Sequence, residues 1–131
     1  MDFTFTDDQL GFRDAIGAML TAEVTAERIR ERWNSDSGLE PALLEQLRDL
    51  GLSSMLVPEA LGGLNLTLVD FVLIAELCGQ VALPEPAVES VMVGTPLLVD
   101  ALDYGLGNGN VQRVLDGLVS GDAQLAAGHP I

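Results

Sequence analysis

Several residue groupings in this chain have the types that catalysis or ligand capture needs, and their spacing decides between them. Gly105-Leu106-Gly107-Asn108-Gly109 sets glycines at alternate positions, the composition that lets backbone amides approach a phosphate. A dinucleotide fingerprint, however, needs a strand before the loop and a helix after it in a βαβ unit. Here a helical pattern precedes and no parallel strand is evident, so the loop reads as a helix-to-helix turn. Glu76 lies in an apolar run, where burial would raise its carboxyl toward the general-base range. A buried glutamate on a helix is more often satisfied by a neighbouring arginine or hydroxyl, and Glu76 is read as structural. His129 is the one histidine, so no histidine relay and no histidine-based metal cluster can be assembled. Cys78 is the one cysteine and has apolar neighbours, which favours a buried, inert thiol. The carboxylate pairs Asp7/Asp8, Glu27/Glu31 and Asp100/Asp103 fall on helix starts or exposed faces, where first-turn acids complement the helix dipole. No catalytic residue and no metal ligand is assigned within the chain.

Charge excludes one class of partner. Twenty acidic residues stand against six basic ones, a net charge of −14 over 131 residues, and the six are all arginine. Such a surface repels phosphate backbones and rules against nucleic-acid binding. The cluster Arg28-Ile29-Arg30-Glu31-Arg32 is interleaved with acids and reads as a solvated helix face. A single cysteine excludes an internal disulfide and fits a reducing, cytoplasmic setting. Met1-Asp2-Phe3-Thr4-Phe5 lacks a basic n-region and an apolar h-region. Leu64 to Ala75, the longest apolar stretch, is interrupted by Asn65, Thr67 and Asp70 and is too short to span a bilayer.

The elements follow from caps and periodicity. Thr6 to Gln9 forms a T-x-x-Q capping box opening a helix, with Phe5 and Leu10 as its staple. Leu10, Ile16, Met19, Leu20 and Val24 share one face, and this helix is expected to run to about Trp33. After the turn-rich Asn34 to Gly38, a second helix spans Pro41 to Leu50, ended by a left-handed Gly51. A third opens near Thr67 with Asp70 at the capping-box position. It is apolar in nearly every direction, which predicts cover from more protein, and Gly79 and Pro84 are expected to end it. A fourth starts near Pro86 and contains Pro96, which should kink or interrupt it. A short helix from Val111 to Val119 follows, and Ala123 to Ala127 reads as the start of a strand. The fold class is therefore all-α, an up-down bundle of about five helices with a strand start at the C-terminus.

One ordered set of turns carries a resemblance. Leu47 to Leu52 leads to Val57-Pro58-Glu59, then Gly62-Gly63, then a helix with Asp70 and, near its end, Glu76-Leu77-Cys78-Gly79. With Phe3-Thr4-Phe5-Thr6 at the start and Thr95-Pro96-Leu97-Leu98 before the last helix, this resembles the N-terminal helical domain of acyl-CoA dehydrogenases. The resemblance covers essentially the whole chain. It departs from the family pattern at Ala60-Leu61, where an acidic-aromatic pair is frequent, and at Asn65, where glycine is common.

The resemblance implies a division into residues 1–121, the helical domain, and residues 122–131, the start of a middle β-domain lying outside this chain. It implies a flavin-dependent enzyme that oxidises an acyl-CoA thioester to the 2,3-enoyl-CoA. FAD would be bound mainly by domains absent here, and the catalytic carboxylate would lie in a later helical domain. The chain alone would be inactive, pairing with the remaining domains or a partner subunit in a homo- or hetero-oligomer. Val88, Val91 and Met92, aligned through Pro96, would line the acyl pocket as its substrate-binding wall. A second reading is a non-catalytic helical partner or structural subunit that retains the family fold.

Overall fold

A computed structural model describes residues 4–35, 40–107, 109–123 and 125, and among these it is helical without a strand. The helices are α1 (Asp7–Glu23), α2 (Ala26–Trp33), α3 (Pro41–Asp49), α4 (Leu68–Gln80), α5 (Ala87–Glu89), α6 (Thr95–Asp103) and α7 (Gly109–Ser120). A 3-10 turn covers Glu59–Leu61, and a π turn, Ser90–Gly94, joins α5 to α6. His129 and most of the expected strand at 123–127 lie outside the described residues.

Two capping boxes set the frame. Thr6 Oγ1 accepts from the Gln9 amide at 3.2 Å, and the Gln9 side chain accepts from the Thr6 amide at 2.9 Å, satisfying two orphan donors of α1. Asp70 does the same for α4, accepting from the Thr67 amide at 2.6 Å. The boxes are joined, because Gln9 Nε2 donates to Asp70 Oδ1 at 2.6 Å. The N-termini of α1 and α4 therefore sit side by side, and the two helices run parallel. Two turns on, Gly17 meets Leu77, whose Cδ1 would lie 3.3 Å from a Cβ at position 17.

Along this seam Ile16, Leu20, Phe71 and Ile74 are wholly buried, each side chain contributing about 1.5–3 kcal/mol on leaving water. Leu43 and Leu47 of α3, with Leu52, Met55 and Val91, complete the main core. A smaller core gathers Val57, Leu115 and Leu118 beneath Leu98, Leu102 and Val111. The loop between α3 and α4 bridges the two, sending Met55 to one and Val57 to the other. It folds back on itself, with the amides of Leu64, Asn65 and Leu66 donating to the carbonyls of Ser54, Val57 and Met55 at 2.9–3.0 Å. Gly62, at φ +84°, makes the reversal. Gly63 then lies so close to Val57 that an added Cβ would fall 2.1 Å from the Val57 carbonyl oxygen. The Val-Pro-Glu…Gly-Gly order is thus required by backbone contact.

Two expectations need correction, and a third gains its mechanism. The first helix does not reach Trp33. It ends at Glu23, and Thr25 caps α2 by accepting from the Arg28 amide at 3.3 Å, so a second N-cap signal outweighs continuity. Gly79 does not terminate α4. The left-handed residue is Ala82, at φ +51°, with Leu83 donating to Cys78 at 2.9 Å and Ala82 to Gly79 at 3.1 Å in a Schellman arrangement. Pro96 does interrupt the helical hydrogen bonding, but through a π turn: the Thr95 amide reaches back to the Ser90 carbonyl, so the missing proline donor falls where the ladder is already rephased.

Ala82 occupies a conformation that disfavours a Cβ by about 1–2 kcal/mol. Ala82→Gly is therefore expected to stabilise the fold by about 1 kcal/mol and to raise Tm by a few degrees in thermal denaturation. In the opposite sense, Gly63→Ala should lose about 3 kcal/mol or more in urea unfolding, because the clash is with backbone.

Candidate functional site

The α4–α5 hairpin and the π turn carry the groups of interest. A furrow between α4 and α5 is lined by Ala75, Cys78 and Gly79 on one side and by Pro86, Val88 and Glu89 on the other. Val88 is half-buried in this furrow, whereas Val91, 2 % exposed, points into the main core. Met92, in the π turn, is 38 % exposed. The three therefore sit in three environments: furrow, core and surface. Beyond them the outward side of α4 shows Leu68, Val69 and Val72, and the π turn and α6 show Val93 and Leu97, all at least 44 % exposed.

The π turn is held on its inner side. Thr95 Oγ1 donates to the Ser90 carbonyl at 3.0 Å, in a buried position. The Ser90 hydroxyl donates to the Leu125 carbonyl, which pins the chain after α7 against the turn. Gly94 makes room for this, since a Cβ there would lie 2.9 Å from Leu125 Cδ1. Gly121, Asp122, Ala123 and Leu125 close one side of a second, mainly apolar cavity of about 190 Å³ bounded also by Leu47, Leu52, Val91 and Leu118.

Beneath the hairpin lies a buried charge network that the sequence reading missed. Arg32 is 6 % exposed rather than solvated. Its Nε donates to Glu40 Oε2 at 2.9 Å, its Nη2 makes a second bond to the same oxygen, and its Nη1 meets Glu85 Oε1 at 3.2 Å. The Glu85 side chain is wholly buried, and its Oε2 has no hydrogen-bond partner among the described residues. Burial raises the Glu85 pKa above the usual carboxylate value, and the Arg32 charge only partly offsets this. The one available signal was Glu85 itself, a carboxylate enclosed by prolines in Leu83-Pro84-Glu85-Pro86.

The remaining sequence candidates fall into place. Glu76, far from being buried, is exposed and accepts from Gln80 at 3.3 Å. Cys78 is buried and its thiol is pushed up to about 11, the inert setting expected. The amides of Gly105, Leu106 and Gly107 donate to Ala101 and Leu102, capping α6. They are committed to the helix end and do not form a diphosphate cradle. No group of metal-ligating side chains gathers among the described residues, and none of their helices is long and apolar enough to cross a membrane.

The fold and this surface define a class: an all-α domain whose apolar residues extend past its own core onto an outer face. The profile of the acyl-CoA dehydrogenase N-terminal domain matches residues 6–122, and the chain belongs to that family. No curated relative and no solved structure matches it significantly.

The buried pair makes a pH prediction. Because the folded Glu85 pKa is raised, the native chain keeps this proton to higher pH than the unfolded chain. The stability this group contributes is complete below the unfolded pKa and is lost as pH rises through the folded one. Asp70 runs the other way: bonds from Gln9 and Thr67 lower its pKa, and its contribution is lost as pH falls through that depressed value. Urea titrations from about pH 4 to about pH 8 should show a decline with rising pH that Glu85→Gln removes. Arg32→Met, which strands Glu85, should lose about 3–5 kcal/mol, partly recovered by adding Glu85→Gln.

Proposed function

We propose that this chain is the N-terminal domain, or a truncated form, of an FAD-dependent acyl-CoA dehydrogenase that converts an acyl-CoA thioester to the 2,3-enoyl-CoA. The family match supports the class of reaction, and one observation carries the role of this part: its apolar side chains continue outward from α4 and the π turn, where a second protein surface is needed to cover them. The domain packs there against the flavin-bearing domains and supplies one wall of the acyl pocket.

FAD held by the other domains would supply the acceptor for the hydride leaving the substrate β carbon. This chain's residues supply shape and exclusion of water. Met92 presents a flexible thioether, suited to an alkyl chain of variable contour. Val88 lines the adjoining furrow, and Val91 anchors the turn from the core side. None of the three carries a proton or charge, which suits a group that selects acyl length rather than performs the chemistry.

A second reading is a non-catalytic partner subunit that retains the fold and covers the same face of a catalytic chain. The exposed apolar face serves this role equally, and the cytoplasmic, oligomeric setting is common to both.

Two measurements test the proposal. The purified 131-residue chain should be colourless and show no turnover, whereas stoichiometric flavin absorbance would overturn the placement of FAD outside it. In the assembled enzyme, Met92→Trp should lower kcat/KM for the longest acyl-CoA accepted by roughly tenfold, about 1.4 kcal/mol, while short substrates and flavin content are unchanged. An unaltered length profile would remove Met92 from the wall.

A further inference from the structure

We infer that the outward face of α4, the π turn and α6 docks a protein surface with an apolar centre and a cationic rim. This rests on the reading of the domain as one that packs against further protein, and it names the chemistry of that partner. Val72 lies one helical turn before the furrow-lining Ala75, and Met92 one turn beyond Val88, so exposed apolar side chains prolong both walls of the furrow. Leu97, 62 % exposed, extends the strip along α6.

Charge selects the occupant. Between Arg48 and Arg113 the chain has no basic residue at all, so every charged residue of α4 and α6 is an acid and the π turn carries no charge. Exposed acids stand one turn from each apolar group: Glu76 beside Val72, Glu89 beside Met92 and Val93, Asp100 beside Leu97. Cations on the neighbouring helices do not neutralise this rim. Arg13 of α1 is paired with Asp14, and Arg113 of α7 shares a groove with Asp116 and Asp122. A second copy would bring the same acid rim and the same net charge of −14 against this one, and so does not fit. An interface partner rich in Lys or Arg around an apolar centre does.

The test titrates the full chain, by calorimetry at low salt, with a synthetic amphipathic helix of leucine and lysine, and with its leucine–glutamate counterpart. The lysine helix should bind and the glutamate helix should not. Binding should weaken steeply at about 1 M salt, where screening reaches about 3 Å. Val72→Gln with Leu97→Gln, and separately Glu76→Lys with Glu89→Lys, should each weaken binding about tenfold or more, while Glu31→Lys with Glu45→Lys, off the face, should change it less than about twofold. Circular dichroism of each variant confirms that it is folded. Equal losses from the off-face pair, or equal binding of the glutamate helix, would overturn the inference. So would a dimer of the chain alone that dissociates in the Val72→Gln, Leu97→Gln variant, because the occupant would then be a second copy. If the peptide binds as expected while Met92→Trp leaves acyl preference unchanged, the pocket wall fails and this docking surface stands.

Discussion

The guanidinium of Arg32 ties together three segments that hydrophobic burial alone would leave loosely related. It closes the end of α2, holds Glu40 at the entry of α3, and meets Glu85 in the loop before α5. Glu40 is the N-cap residue of α3 yet makes no cap bond with its side chain, since that carboxylate is turned to Arg32. Desolvating three charged groups is unfavourable by itself, and the arrangement persists because the arginine fork engages both acids at once, although Glu85 Oε2 is left without a partner among the described residues. Its value is in geometry: with Arg32 in place, the α4–α5 hairpin has one position relative to α2 and α3.

From that position the rest of the surface follows. The joined capping boxes set α4 parallel to α1, so Phe71, Ile74 and Cys78 face inward and Val69 and Val72 face out. The hairpin then returns α5 along α4, and the π turn rephases the helix before Pro96. A regular helix would carry Val91, Met92 and Thr95 at other angles. As built, Val91 and Thr95 are buried while Met92 and Val93 are exposed. One irregular turn thus decides which apolar side chains serve the core and which stay exposed.

A domain of this kind shows its function mainly in what it leaves uncovered. Its acids cap helices, pair with arginines or face solvent, its thiol is inert, and its glycine-rich turn caps α6. The family match and the outward apolar strip carry the functional reading, and the cation-free stretch around that strip gives the expected partner a charge.

What the sequence by itself determined is local. Thr6/Gln9 and Thr67/Asp70 open helices because each box satisfies its own orphan amides within four residues, and Gly51 and the Gly62-Gly63 turn need backbone freedom that few other residues have. The all-α class and the order of turns were legible for the same reason. Tertiary structure decided everything that depends on two distant segments meeting. It buried Arg32, whose neighbours Arg30 and Glu31 give no sign of the carboxylate eight residues on or of Glu85 beyond that. It exposed Glu76, because the side of an apolar helix that is covered depends on which helix packs there. It separated Val88, Val91 and Met92 into furrow, core and surface, since a π turn alters the angle per residue and leaves no mark in apolar periodicity.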